Sequence, residues 1–225
     1  MHSTDTVLTN TEPALVFNEP HSPAIRIWHW TFFLALTASL MTVLFGSTLF
    51  RTRNNISLVQ QQLQEKGVTV TPDQARAVAH EYSDKLWDLH TLIGYILCVL
   101  LLSRILIEIT QPSEEKLSLK IKKALGLRSG IPGDRKEHRH YVRVKTGYLL
   151  FYLFVLMMAL TGLGLAFEDQ PFLKANHKLI KQIHVLTQWA IYAYVLLHLI
   201  GVVAADLGRH KGLISGMIHG KKQKI

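Results

Sequence analysis

Four stretches of this chain carry almost no formal charge, and each is about as long as a helix must be to cross a bilayer. Residues 27 to 50 (IWHWTFFLALTASLMTVLFGSTLF), 146 to 167 and 182 to 205 contain no Asp, Glu, Lys or Arg, and residues 89 to 107 contain only Arg104. About 20 apolar residues span the hydrocarbon core as an α-helix. Without water to pair with the backbone, a helix is the way a single segment satisfies its own N–H and C=O groups. The expected fold class is therefore all-α and integral to the membrane, a four-transmembrane-helix bundle. The net charge of +9 over 225 residues then belongs to the connections, not to a basic soluble surface.

With flanks included, the spans are expected at 25–50, 86–108, 144–167 and 181–206. Between them lie an N-terminal tail (1–24), an external helical cap (51–85), a basic loop (109–143), a short external loop (168–180) and a basic tail (207–225). The first 26 residues lack the basic start, short apolar core and small-residue cleavage site of a secretory signal, so the first span is expected to be retained. Sixteen Lys and Arg fall in the N-terminal tail, the 110–145 connection and the tail from 206, against eight in 51–86 and 168–181. That bias places both termini in the cytoplasm. Clusters such as Lys120, Lys122 and Lys123 read as topology signals and anionic-lipid contacts, with no nucleic-acid partner expected. The single cysteine, Cys98, excludes an internal disulfide, a cysteine-held iron–sulfur cluster and haem attached through Cys-x-x-Cys-His.

The cap has its own local signals. SLVQQQLQEKG predicts a short helix ended by Gly67, and TPDQ offers Thr71 as N-cap, Pro72 at the first helical position and Gln74 to close a capping box. The helix that follows is expected to run straight into the second span. In the basic loop, Pro112, Gly126, Gly130, Pro132 and Gly133 leave room for one short helix at 114 to 125 and argue against a second domain. Trp28, Trp30 and Trp87 read as interfacial anchors.

Of twelve histidines, four lie within or at the edge of the apolar spans: His29, His90, His184 and His198. An ionisable side chain at that depth is costly unless it is paired, and so marks function. His184 and His198 are fourteen residues apart. At about 100° and 1.5 Å per residue that is about 40° short of four turns and a rise of about 21 Å, so both share one face of the fourth helix at two levels. The antiparallel order of the helices supplies a partner at each level, His90 with His184 on the outer side and His29 with His198 on the inner. Two stacked pairs of imidazoles suit two six-coordinate haems held between the helices, whereas zinc gathers three or four ligands at one level. With both axial positions filled, such haems transfer electrons and do not bind oxygen.

Other residues fit this arrangement. Gly94 is four after His90 and Gly201 three after His198, where a missing side chain admits a macrocycle; Gly46, Gly147, Gly162 and Gly164 offer the same, or ordinary helix packing. Arg104, fourteen after His90, and Arg26 are placed to pair with a propionate of the inner haem, and equally to snorkel to headgroups.

RIWHW opening the first span, LHTLIGYIL in the second, LTGLGLAF ending the third, the His184 and His198 pair and the tail GLISGMIHGKK together resemble the bacterial di-haem cytochrome b561 superfamily. That superfamily includes the b-type cytochrome subunits of nickel–iron hydrogenases and formate dehydrogenases. The resemblance runs from about residue 24 to 222 and implies His29, His90, His184 and His198 as axial ligands of two haem b groups. It also implies a place in the bacterial inner membrane, a periplasmic redox protein or catalytic subunit as partner, and exchange with the quinone pool. VKTG, Val144 to Gly147, stands where many members carry Asn-Pro-x-Gly, so quinone contacts do not carry over.

The function expected is that of an electron-transfer subunit rather than a complete enzyme, with membrane lipid, quinone and a periplasmic protein as partners. Two other readings stay open. One is a stand-alone quinone-linked oxidoreductase acting on a small redox substrate such as superoxide. The other is a histidine-relay transporter or proton channel, for which only Thr187, Gln188, Tyr192 and Tyr194 lie between His184 and His198 as polar lining.

Overall fold

The computed structural model describes residues 22–111, 116, 118–119, 121–122, 135–208 and 212–220, and for 135–141 the backbone alone. Among these residues the chain forms α1 (Pro23–Ser47), α2 (Thr52–Glu65), α3 (Pro72–Thr110), α4 (Arg135–Ala166), α5 (Pro171–Leu207) and α6 (Leu213–His219), with no strand. Four of them, α1, α3, α4 and α5, are long and apolar enough to cross a membrane.

The helices start where local chemistry dictates. Ser22 caps α1 by accepting from the Ile25 N–H, with Pro23 at the first helical position, where proline's missing donor costs nothing. Thr71 and Gln74 form a reciprocal capping box on α3: Thr71 Oγ1 accepts from Gln74 N at 3.2 Å and Gln74 Oε1 accepts from Thr71 N at 2.9 Å. Gly67, with φ +78°, ends the turn after α2. From Pro72 the helix runs 39 residues without a break into the second span.

Two expectations change. Helix α5 starts at Pro171 and runs 37 residues, so most of 168–180, expected as loop, is helix: proline at the first helical position starts it, and PFLKANHKLIKQ contains no breaker. Helix α4 likewise begins at Arg135, well before the apolar span. The short helix expected at 114 to 125 falls largely outside the described residues.

Helix α1 packs along α3, α4 along α5, and contacts between α3 and α4 join the two pairs. The bundle is polar in places inside and apolar outside. Ser39, Thr42, Arg104, Thr161 and Thr187 are buried, while Leu34, Leu102, Leu160 and Leu197 are each about 60% exposed or more. A water-soluble fold would invert that order; lipid-facing helices require it.

Trp28 corrects one expectation. It is not an interfacial anchor but a core residue, 8% exposed, stacked on Phe32 with ring centres 4.9 Å apart and donating its indole N–H to the Leu100 carbonyl at 2.7 Å. It anchors a cluster with Phe32, Leu101 and Val155 that ties α1 to α3 and α4. A helical residue one step from His29 necessarily faces about 100° away from it, so with Trp28 turned to α3, His29 turns elsewhere.

The tail contributes a structured element. Gly212 and Gly220, at φ +87° and +70°, bracket α6, as glycine permits at helix ends. Arg26 Nη1 donates to the Ile218 carbonyl at 3.1 Å and Trp30 Nε1 to the Met217 carbonyl at 3.2 Å. These donors satisfy carbonyls at the end of α6 that lack helical partners and pin it beneath the start of α1.

Candidate haem-binding sites

The four span histidines come together in twos. At the end of the bundle that carries α2, His90 of α3 and His184 of α5 face each other with ring centres 6.5 Å apart and planes at 85°. At the end that carries α6, His29 of α1 and His198 of α5 lie 6.4 Å apart with planes at 62°. Among the described residues no group of three or more His, Cys, Asp or Glu converges on one point. An imidazole nitrogen sits about 2 Å from the metal it ligates and the ring centre about 1 Å further back, so two rings sharing one metal have centres about 6 Å apart. Both separations fit a single metal ion between two imidazoles.

Hydrogen bonds orient the pair near α2. Thr42 of α1 lies 2.8 Å from His90 Nδ1, and Thr161 of α4 lies 2.9 Å from His184 Nδ1. Both threonines are buried. Sequence reading missed them, since an isolated threonine in an apolar span ordinarily bonds its own helix; the available signal was that Thr161 immediately precedes a glycine in LTGLGLAF. Trp87 lies edge-on to His90, ring centres 5.5 Å apart. The pair near α6 is set among aromatic rings. His29 meets Trp30 edge-on at 5.7 Å, and the Tyr194 ring lies parallel to His198, centres 6.3 Å apart and planes within 7°. Tyr194 in turn stacks on Phe151 at 4.9 Å. His198 is the exposed member of the four.

The glycines sort by what a Cβ would meet. At Gly94 and Gly201 it would meet nothing within 4 Å, leaving open space beside the neighbouring histidine. At Gly162 it would touch His184, at 3.4 Å from Cε1. Gly46 instead packs against Trp87 and Leu86, and Gly164 against Ile180 and Leu173, so these two serve helix contact.

Arg104 does not snorkel. It is 9% exposed; Nε donates to the Tyr152 hydroxyl at 3.0 Å and Nη2 to Glu108 Oε2 at 3.2 Å, while Nη1 is buried with no partner. Arg26, besides holding α6, keeps Nε buried and unpartnered. A buried unpaired donor on a cation is expensive, and an anionic group is the chemistry that would relieve each.

Four helices able to cross a membrane, with imidazoles paired at two levels, define a class, that of all-helical membrane proteins with histidines placed to ligate metal. The chain belongs to the prokaryotic cytochrome b561 family, whose pattern matches residues 20–220; it is a multi-pass membrane b-type cytochrome of electron transfer. It is 31% identical over 86 residues to a probable Ni/Fe-hydrogenase B-type cytochrome subunit of Bradyrhizobium diazoefficiens, a match that covers 32% of this chain and 35% of that protein. The alignment thus spans about a third of the relative's length. No solved structure matches the chain.

Proposed function

We propose that this protein carries electrons across the bacterial inner membrane between a redox partner on the periplasmic side and the quinone pool, through two haem b groups. His90 and His184 hold the outer haem; His29 and His198 hold the inner one. The observation that carries the reading is the pair of imidazole separations, 6.5 and 6.4 Å, at opposite ends of one bundle. When bound, haem would supply one-electron redox chemistry, held by these imidazoles.

The protein's own residues do the rest. The four imidazoles would hold the iron, and Gly94 and Gly201 leave open space beside His90 and His198. Arg104 and Arg26 offer unpaired N–H groups to the propionates of the inner haem, while apolar helix surfaces exclude water. The Lys and Arg bias supports cytoplasmic termini, with α6 on that side and α2 and the first turns of α3 on the other. The likeness to a hydrogenase cytochrome subunit supports a catalytic subunit as the periplasmic partner. The exposure of His198 favours the inner haem as the point of exchange with quinone.

Substituting one ligand from each pair tests the assignment. His198→Ala should remove the inner haem and spare the outer, and His90→Ala should do the reverse, read as halved haem content with a distinct residual reduced-minus-oxidised spectrum. Loss of the same haem in both variants, or of neither, would overturn the pairing.

A further inference from the structure

The two threonines beside the outer pair do more than fill space. Thr42 Oγ1 lies 2.6 Å from the Ser39 carbonyl, and Thr161 Oγ1 lies 2.7 Å from the Met157 carbonyl. A carbonyl oxygen only accepts, so at that separation the hydroxyl proton must lie on the line between the two oxygens. Each hydroxyl therefore has only lone pairs to offer the imidazole, and the neighbouring Nδ1, at 2.8 and 2.9 Å, must be the protonated nitrogen that donates. The nitrogen left with a lone pair is Nε2 on both rings. The same device is built twice, on two different helices, one hydroxyl turned back to the carbonyl three residues before and the other to the carbonyl four before.

We infer that Thr42 and Thr161 are positioning residues for the outer haem: they fix the tautomer of His90 and His184, hold the ring planes nearly perpendicular, and set the outer haem's potential below what unassisted imidazoles would give. This rests on the reading of those histidines as axial ligands. Fixing the second nitrogen orients the ring and raises its basicity as a ligand. A more basic ligand favours ferric over ferrous iron, so the hydrogen bond lowers the midpoint potential. The planes stand at 85° with each ring held at Nδ1 by its threonine and with Trp87 edge-on to His90. The inner pair, packed among Trp30 and Tyr194, lies outside this device and serves as an internal reference.

The test uses the full haem-loaded chain as wild type, Thr42→Val, Thr161→Val, and the hydroxyl-keeping Thr42→Ser and Thr161→Ser. Redox titration followed optically should show one haem shifted upward in each Val variant and the other unmoved, with Ser variants titrating as wild type. Electron paramagnetic resonance of the oxidised protein should show the strongly anisotropic low-spin signal of perpendicular imidazoles moving toward a rhombic one in the Val variants. If a Val variant instead loses the outer haem, retention of it by the Ser variant supports the same conclusion. Val variants with unaltered potentials and spectra, or Ser variants that behave like Val, would overturn it. Full haem content in His90→Ala and His184→Ala would instead overturn the ligand assignment beneath it.

Discussion

Gly162 gives a graded perturbation whose size follows from the coordinates. A Cβ at this position lies 3.4 Å from His184 Cε1 and 3.9 Å from Nδ1, so Gly162→Ala adds a methyl at ordinary contact distance. Valine extends about 1.5 Å beyond Cβ, which brings a γ-carbon to about 2–2.5 Å of the ring against an optimum near 3.5–4.0 Å. The imidazole must then retreat by about 1 Å or more, which stretches the 2.9 Å Thr161 contact past the range of a hydrogen bond. Overpacking costs about 1–3 kcal/mol, and a hydrogen bond lost within the membrane about 0.6–1 kcal/mol more. Together these weaken the hold on the outer haem by about 15- to 700-fold at 1.4 kcal/mol per decade. Haem-to-protein ratio measured through a detergent-dilution series should stay at the wild-type value for Gly162→Ala and fall toward half of it for Gly162→Val. Equal retention by all three proteins, or equal loss from Ala and Val, would refute the claim that this glycine exists to seat His184.

Trp28→Phe keeps a ring to stack on Phe32 but removes the donor to the Leu100 carbonyl; a loss of about 0.5–1.5 kcal/mol is expected in denaturant or thermal unfolding in detergent. Thr71→Ala removes the acceptor half of the capping box and should cost about 0.5–2 kcal/mol, seen as faster amide exchange confined to the first turns of α3. At Gly220, where φ is +70° and a Cβ would fall 2.5 Å from Arg26 Cζ, valine should release α6 from α1 and expose the C-terminal segment to protease while the four spans remain intact.

The spans were legible because charge in hydrocarbon is so costly that its absence over about 20 residues is itself a signal. The capping box was legible for a similar reason, since Thr71, Pro72 and Gln74 need only their own neighbours. The fourteen-residue spacing of His184 and His198 could be read because it lies within one helix. What depended on rotation of one helix against another could not be read. Trp28 lies near a span end, where tryptophans often anchor at the interface, yet the contacts of α1 with α3 turn it inward onto Leu100. Gly46 and Gly162 look alike in sequence, but one meets Trp87 and the other His184. Thr42 gives no sign of its role in the sequence and Thr161 only the glycine that follows it, because their value lies in which imidazole they meet, 48 and 23 residues away. Helix α6, seven residues between two glycines, is too short to announce itself by periodicity and depends on donors from Arg26 and Trp30.

Iron anomalous scattering from the haem-loaded protein in a lipid environment tests the central claim most directly. Two iron positions per chain are expected, one between His90 and His184 and one between His29 and His198. A single iron, or any iron ligated outside those four residues, would contradict it.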